Sequence, residues 1–189
     1  FVDTEGGFSV DRVKQLVPDE WEKVLENILI LKPTSFEEQK KDFLKLLKHI
    51  KEQTIGLVVI DGMTMLYRLE IGDACEDGKR DIEKIGEINR ELAGQMRILA
   101  EISRKKNIPV LITNQVYSDF LSDEDFSKGV EKRVHLVGGD LLKYWCKCII
   151  ELKNEKGKRK AILLKHRSLP EKDFEFEITN QGIRKKGWI

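Results

Sequence analysis

The chain has 189 residues, 40% of them apolar and 35% charged, enough for one well-buried core beneath a densely charged surface. Thirty-four Lys and Arg stand against thirty-three Asp and Glu, so the net charge is only +1. Bulk charge therefore neither demands nor excludes nucleic acid, and only local clusters of bases can argue for it. No apolar run is long enough for a membrane span and no signal peptide is visible, while three cysteines in no metal or disulfide pattern point to a reducing, cytoplasmic setting.

Phe1 opens the chain in mid-strand, which reads as a segment lacking its natural amino terminus. That strand runs into Asp3-Thr4-Glu5-Gly6-Gly7. Ser9 to Leu16 has helical character, Pro18 interrupts it, Trp21 to Glu26 forms a second short helix, and Asn27 to Leu31 reads as a strand. Ser35-Phe36-Glu37-Glu38 is a capping box, after which Phe36, Phe43, Leu44, Leu47 and Ile50 recur at helical spacing. Gly56 ends this connection, and Leu57-Val58-Val59-Ile60-Asp61 is a buried strand ending in an acid.

Tyr67 to Arg80 is polar with two glycines and reads as a loop. Asp81 to Lys106 is a long amphipathic helix with Ile82, Ile85, Ile88, Leu92, Met96, Leu99 and Ile102 on its core side. Pro109 starts a third strand, carrying the run Val110-Leu111-Ile112-Thr113-Asn114-Gln115-Val116. Tyr117 to Val137 has no convincing period and reads as a long loop, of a length that is usually functional or disordered. Gly138-Gly139-Asp140 caps a short helix through Trp145, followed by two strands, Cys146–Lys153 and Lys160–Lys165, joined around Gly157 as a hairpin. Phe174–Ile178 and Ile183 suggest a final antiparallel pair. Cys146 and Cys148, two apart on the first of these strands, read as small buried hydrophobes sharing one side.

Strand–helix units come first and hairpins last, so the expected fold is α/β, with a mostly parallel sheet flanked by helices and antiparallel hairpin strands at its C-terminal edge. In such sheets ligands bind at the carboxyl ends of the strands. There the chain offers Glu5, Asp61 and Gln115. Two acids and an amide at three neighbouring strand ends suit a nucleotide phosphate and its magnesium ion.

The runs Asp3-Thr4-Glu5-Gly6-Gly7, Asp61-Gly62-Met63-Thr64, Thr113-Asn114-Gln115-Val116 and Gly138-Gly139-Asp140 occur in the order found in RecA-like recombinases, which this chain resembles over nearly its whole length. Within that group it is most similar to archaeal RadB-type paralogues of the RadA recombinase, chiefly through Lys165-His166-Arg167 ahead of Leu169-Pro170-Glu171. The resemblance implies one RecA-like P-loop ATPase domain over residues 1–189, incomplete at its N-terminus, with ATP and Mg2+ as cofactors. It implies a weak Mg-dependent ATPase that binds DNA and assists or regulates a RadA-type recombinase in homologous recombination and repair, with monomer, dimer and homo-oligomeric filament all left open.

The same resemblance makes Asp61 the Walker B acid that orients magnesium through water, with Thr64 beside it at the nucleotide. It makes Glu5 the residue that polarises the attacking water and Gln115 the sensor of the γ-phosphate. Structural alternatives are a turn Asp, a helix-cap Glu and a buried amide. No G-x-x-x-x-G-K-[ST] phosphate loop occurs in the chain; the family pattern puts that loop just upstream of Phe1. DNA-binding candidates are Lys165, His166 and Arg167, then Arg68 and Arg80 of the first polar loop and Lys132 and Arg133 of the second, all able to neutralise phosphates. The competing readings are a KaiC-like P-loop ATPase without a DNA role, and a non-hydrolysing interaction module.

Overall fold

The structure, a computed structural model, describes residues 1–52, 54–75, 79–118, 134–155 and 157–187. It divides into two compact units, one of Phe1–Gly7 with Leu29–Leu142 and one of Phe8–Ile28 with Lys143–Ile189.

The first unit holds a parallel sheet in the order β1 (Val2–Asp3), β2 (Val58–Asp61), β3 (Val110–Ile112). Asp3 pairs with Asp61, and Ile60 with Ile112, so the three strands end level and present their last residues along one edge. Helices α3 (Phe36–Glu52), α4 (Met65–Asp73) and α5 (Ile82–Lys106) belong to the same unit. Phe36, Phe43, Leu46 and Ile50 of α3 and Ile88, Leu92, Met96, Leu99 and Ile102 of α5 are buried with Val2, Val58, Ile60 and Met63. Such stripes recur every three or four residues because the helix turns every 3.6.

Two details of that stripe differ from the sequence reading. Leu44 is exposed and Leu46 takes its place inside, while Ile82 stands 81% exposed in the first turn of α5, ahead of the buried stripe. The capping box is also half-formed. Ser35 Oγ accepts from the Glu38 N–H at 3.2 Å, but the Glu38 carboxylate turns back to Thr34, accepting from its N–H and its hydroxyl at 2.8 Å each. Those hydrogen bonds, the backbone one first, hold the Glu38 carboxyl below its ordinary value.

Three spans assume a different structure from that expected. The Asn27–Leu31 strand shrinks to one parallel bridge between Leu31 and Val2. The Ile28 N–H still turns back to the Leu25 carbonyl, and Pro33 has no N–H to extend a ladder. The span from Tyr67 to Arg80 is not all loop, because α4 continues to Asp73 with Leu66 buried beneath it. The ends of the long Tyr117–Val137 segment pair with each other: β4 (Val116–Ser118) runs antiparallel to β5 (Val134–Leu136), with the Tyr117 and His135 rings stacked at 5.3 Å. A short helix, α6 (Gly139–Trp145), follows.

In the second unit, α1 (Val10–Leu16) and α2 (Trp21–Glu26) accompany an antiparallel sheet of β6 (Ile149–Glu155), β7 (Lys158–Lys165), β8 (Lys172–Thr179) and β9 (Gly182–Lys185). Ser9 caps α1 by accepting from the Arg12 N–H, and the Arg12 guanidinium donates to the Thr179 and Asn180 carbonyls at 2.8 and 3.3 Å. One side chain thus ties α1 to two carbonyls at the β8–β9 turn. Period-two alternation sorts this sheet's two faces. Ile150, Leu152, Ala161, Phe174 and Phe176 share one, and Glu151, Lys153, Lys160, Asp173 and Glu175 share the other.

The cysteines depart from their expected burial. The strand begins at Ile149, after both Cys146 and Cys148, and Cys148 is exposed while Cys146 is half-buried. Burial pushes the Cys146 thiol above its ordinary range, against a smaller opposing pull from the Lys165 ammonium. Iodoacetamide at pH 8 is therefore expected to label Cys148 before Cys146, as read by peptide mass mapping over time; the reverse order would contradict the local geometry. Among the described residues, no helix is long and apolar enough to cross a membrane.

Candidate active site

Level strand ends bring four of the sequence-predicted residues into one neighbourhood: Glu5 just after β1, Asp61 closing β2, Thr64 at the cap of α4, and Gln115 after β3. Each is set by local backbone chemistry. The buried Asp3 carboxylate accepts from the Gly7 N–H at 3.0 Å, which closes the Thr4–Gly7 segment into a tight loop and turns Glu5 outward. The Thr4 hydroxyl lies 2.8 Å from both the Asp61 and the Gly62 carbonyls and ties that loop to the end of β2.

From the other side, Thr113 holds the same strand end. Its hydroxyl donates to Asp61 Oδ1 at 2.6 Å and accepts from the Gly62 N–H at 2.8 Å. Its backbone N–H donates to the Ile60 carbonyl at 3.0 Å, and its carbonyl accepts from the Met63 N–H at 3.1 Å. Asp61 Oδ2 faces the loop of β1 instead, where a Cβ built on Gly7 would lie 3.8 Å from it. One carboxylate oxygen is thus held by protein and the other is turned toward the loop that carries Glu5.

Gln115 reaches Glu5 directly. Its Nε2 donates to Glu5 Oε1 at 3.0 Å, with a second, weaker contact to Met65 Sδ at 3.8 Å. The same residue's carbonyl accepts from the Val137 N–H at 3.2 Å, so the amide that touches the acid sits on backbone continuous with β4 and linked to the end of β5. Asn114 fills in behind: its Nδ2 donates to the Val137 carbonyl at 2.8 Å, and its Oδ1 accepts from the Thr64 hydroxyl. Thr64 is only 1% exposed, so it stands behind the edge with its hydroxyl on Asn114, not at the mouth.

Beneath the loop after Asp61, a buried amide pair joins α3 to α5. Gln39 Nε2 donates to Gln95 Oε1 at 2.7 Å and to the Met63 carbonyl at 3.3 Å. Gln39 Oε1 and Gln95 Nε2 find no partner among the described residues, at a cost of about 1–3 kcal/mol each.

The DNA-binding candidates lie on different elements. Arg68 is exposed on α4, and Arg80 is exposed just before the Asp81 cap of α5. Lys132 and Arg133 fall outside the described residues. Lys165, His166 and Arg167 belong to the second unit, at and after the end of β7. Lys165 Nζ donates to the Lys143 carbonyl at 2.5 Å, and His166 Nδ1 accepts from the N–H groups of Ser168 and Leu169 at 3.2 and 3.1 Å. That pins the imidazole into the turn, while Arg167 is exposed.

Sequence reasoning missed Thr4, Thr113 and Asn114 as parts of this edge. Their signal was present, since each is a short polar side chain adjoining a strand end that carries an acid or an amide. Polar side chains at strand ends are common turn formers, however, and only the parallel register puts these within hydrogen-bond reach of Asp61 and Thr64.

The sequence profile of the Rad51 family matches residues 1–186. A DNA repair and recombination protein RadB of Methanobrevibacter smithii is 39% identical over 188 residues, covering 97% of this chain and 73% of that protein. The protein of the same name from Methanococcus maripaludis is 39% identical over 184 residues, covering 97% of this chain and 76% of its own length. A third, from Methanocaldococcus jannaschii, is 37% identical over 183 residues, covering 97% and 77%. Similarity at this level spans the strand ends and the C-terminal hairpins alike, and the chain belongs to the Rad51 family.

Proposed function

We propose that the chain forms a RecA-like ATPase domain of a DNA repair and recombination protein, one that binds ATP with Mg2+, hydrolyses it slowly, binds DNA and assists a RadA-type recombinase. Further copies of the same chain complete its set of partners in this reading. One observation carries it: two acids and an amide from three adjacent strand ends meet at the carboxyl edge of a parallel sheet, with Gln115 hydrogen-bonded to Glu5. Family membership and the names of the relatives support the DNA and recombination part.

The donor set suits the metal. Magnesium keeps several waters and is held by one or two carboxylates together with substrate phosphates. Among the described residues no group of three or more His, Cys, Asp or Glu forms a cage, and a single carboxylate with one oxygen already held by Thr113 fits that requirement. When bound, the ion would supply charge neutralisation at the substrate phosphates. Asp61 would hold the ion through water, using Oδ2. Glu5, with Oε1 held by Gln115, takes a proton from the attacking water at Oε2. Gln115 would sense the γ-phosphate by exchanging its bond to Glu5 for one to that group, and its carbonyl would pass the change to Val137 and the β4–β5 pair.

On the DNA side, Lys165, His166 and Arg167 form the primary contact, with Arg68, Arg80, Lys132 and Arg133 as additional phosphate partners. Arg167 is the leading cation of the triplet, because Lys165 already spends one donor on Lys143 and His166 is fixed by its turn. Changing both Lys165 and Arg167 to Ala in the complete gene product weakens DNA binding across sequences. It also lowers the log–log salt slope by roughly one unit for each phosphate that is no longer neutralised. Fluorescence anisotropy over a salt series reads both effects. An unchanged affinity and slope would assign the triplet to a nucleotide or protein contact instead.

A further inference from the structure

We infer that Thr113 is a positioning residue for Asp61: its hydroxyl fixes which carboxylate oxygen is turned out toward the metal, and so sets the concentration of Mg2+ the site requires. The inference deepens the proposed function and rests on the assignment of Asp61 to the metal.

The hydrogen bonds around Thr113 have only one consistent direction. The Gly62 N–H can only donate, so at 2.8 Å it occupies a lone pair of the Thr113 oxygen. The single hydroxyl proton is then directed to Asp61 Oδ1, 2.6 Å away, where a carboxylate can only accept. Threonine suits this task because its β-branch leaves χ1 stiff. The backbone supplies the rest of the constraint: Thr113 N–H to the Ile60 carbonyl and Met63 N–H to the Thr113 carbonyl bracket Asp61 between them. One residue at the C-terminal end of β3 therefore makes four hydrogen bonds to Ile60–Met63, and only one of the four touches the acid's side chain.

This separation makes the role testable. Valine has the shape of threonine without the hydroxyl, so Thr113→Val keeps the two backbone bonds and frees the carboxylate to rotate. The group removed lies one layer behind a metal-binding acid, where substitutions commonly cost about 10–100-fold in metal affinity. Thr113→Ser keeps the hydroxyl.

The experiment titrates Mg2+ against binding of a fluorescent ATP analogue by the complete gene product, reading the Mg2+ concentration at half-saturation. Parent, Thr113→Val, Thr113→Ser, Asp61→Asn and the Asp61→Asn/Thr113→Val double variant are compared, each checked for folding by far-UV circular dichroism. Thr113→Val raises the half-saturating concentration about tenfold, Thr113→Ser stays within about threefold of the parent, and Thr113→Val adds nothing once Asp61 is Asn.

An unshifted valine variant beside a shifted Asp61→Asn would overturn the role of Thr113 and leave the metal assignment standing. Equal shifts for valine and serine, or a valine effect that persists in the Asn background, would reduce Thr113 to a structural part of the strand end. An unshifted Asp61→Asn would overturn the metal assignment itself, and the inference with it. Should the valine variant not fold, Thr113→Ala is read in the same titration by the same criteria.

Discussion

Replacing Glu5 by Gln in the complete gene product abolishes most ATP hydrolysis while ATP binding stays within about twofold of the parent. An amide keeps the size of the carboxylate but cannot take a proton from water, and a positioned general base contributes about 10²–10⁴-fold to such reactions. The geometry sharpens the expectation. Gln115 Nε2 donates to Glu5 Oε1 at 3.0 Å, and a glutamine introduced at that position can present its own side-chain oxygen to the same donor. The local structure therefore survives the substitution, and the loss falls on chemistry rather than on folding. Single-turnover hydrolysis with binding measured in parallel separates the two. Turnover equal to the parent's would remove Glu5 from the mechanism.

Gly62→Ala has the largest expected effect on stability. Gly62 has φ +82°, and a Cβ there would lie 2.6 Å from Thr4 Oγ1, 2.6 Å from Glu5 Cγ and 2.7 Å from Glu5 Oε1. Left-handed backbone costs a non-glycine residue about 1–2 kcal/mol, and forcing apart packed groups adds about 1–3 kcal/mol. The sum is about 2–5 kcal/mol, a large part of the stability of an ordinary domain. Glu5 is exposed and can swing away, but Thr4 is buried and bonded to both the Asp61 and Gly62 carbonyls, so the clash there has no cheap release. Gly6→Ala is the control: at φ +69° it carries the backbone strain, but its Cβ would meet nothing within 4 Å. Urea unfolding of both variants, with the site probed by ATP binding, decides the matter. Stabilities within about 0.5 kcal/mol of one another would show that the approach of Thr4 and Glu5 to Gly62 has no energetic weight.

The sequence by itself determined the α/β class, the long helices and the strands that end in Asp61 and near Glu5, because these rest on local periodicity and on short apolar runs ending in polar residues. Ser9 and Asp81 read from the sequence as the first residues of their helices, and the structure makes each the N-cap instead, accepting from an N–H three residues on. Glu5, Asp61 and Gln115 were readable as candidates from their positions at strand ends and from the family resemblance. What the linear order of residues could not carry was whatever depends on positions far apart in the chain. Leu46 rather than Leu44 faces inward because the core meets α3 at that angle. Leu31 forms one bridge to Val2 rather than a strand, between the turn at Ile28 and Pro33. Tertiary structure alone decided that Thr113, fifty-two residues from Asp61, holds its carboxylate, and that Gln115, one hundred and ten residues from Glu5, donates to it. Those contacts exist only because parallel strands β1, β2 and β3 are paired in one register, and a side-chain hydrogen bond has no range beyond about 3.5 Å to announce itself earlier in the chain.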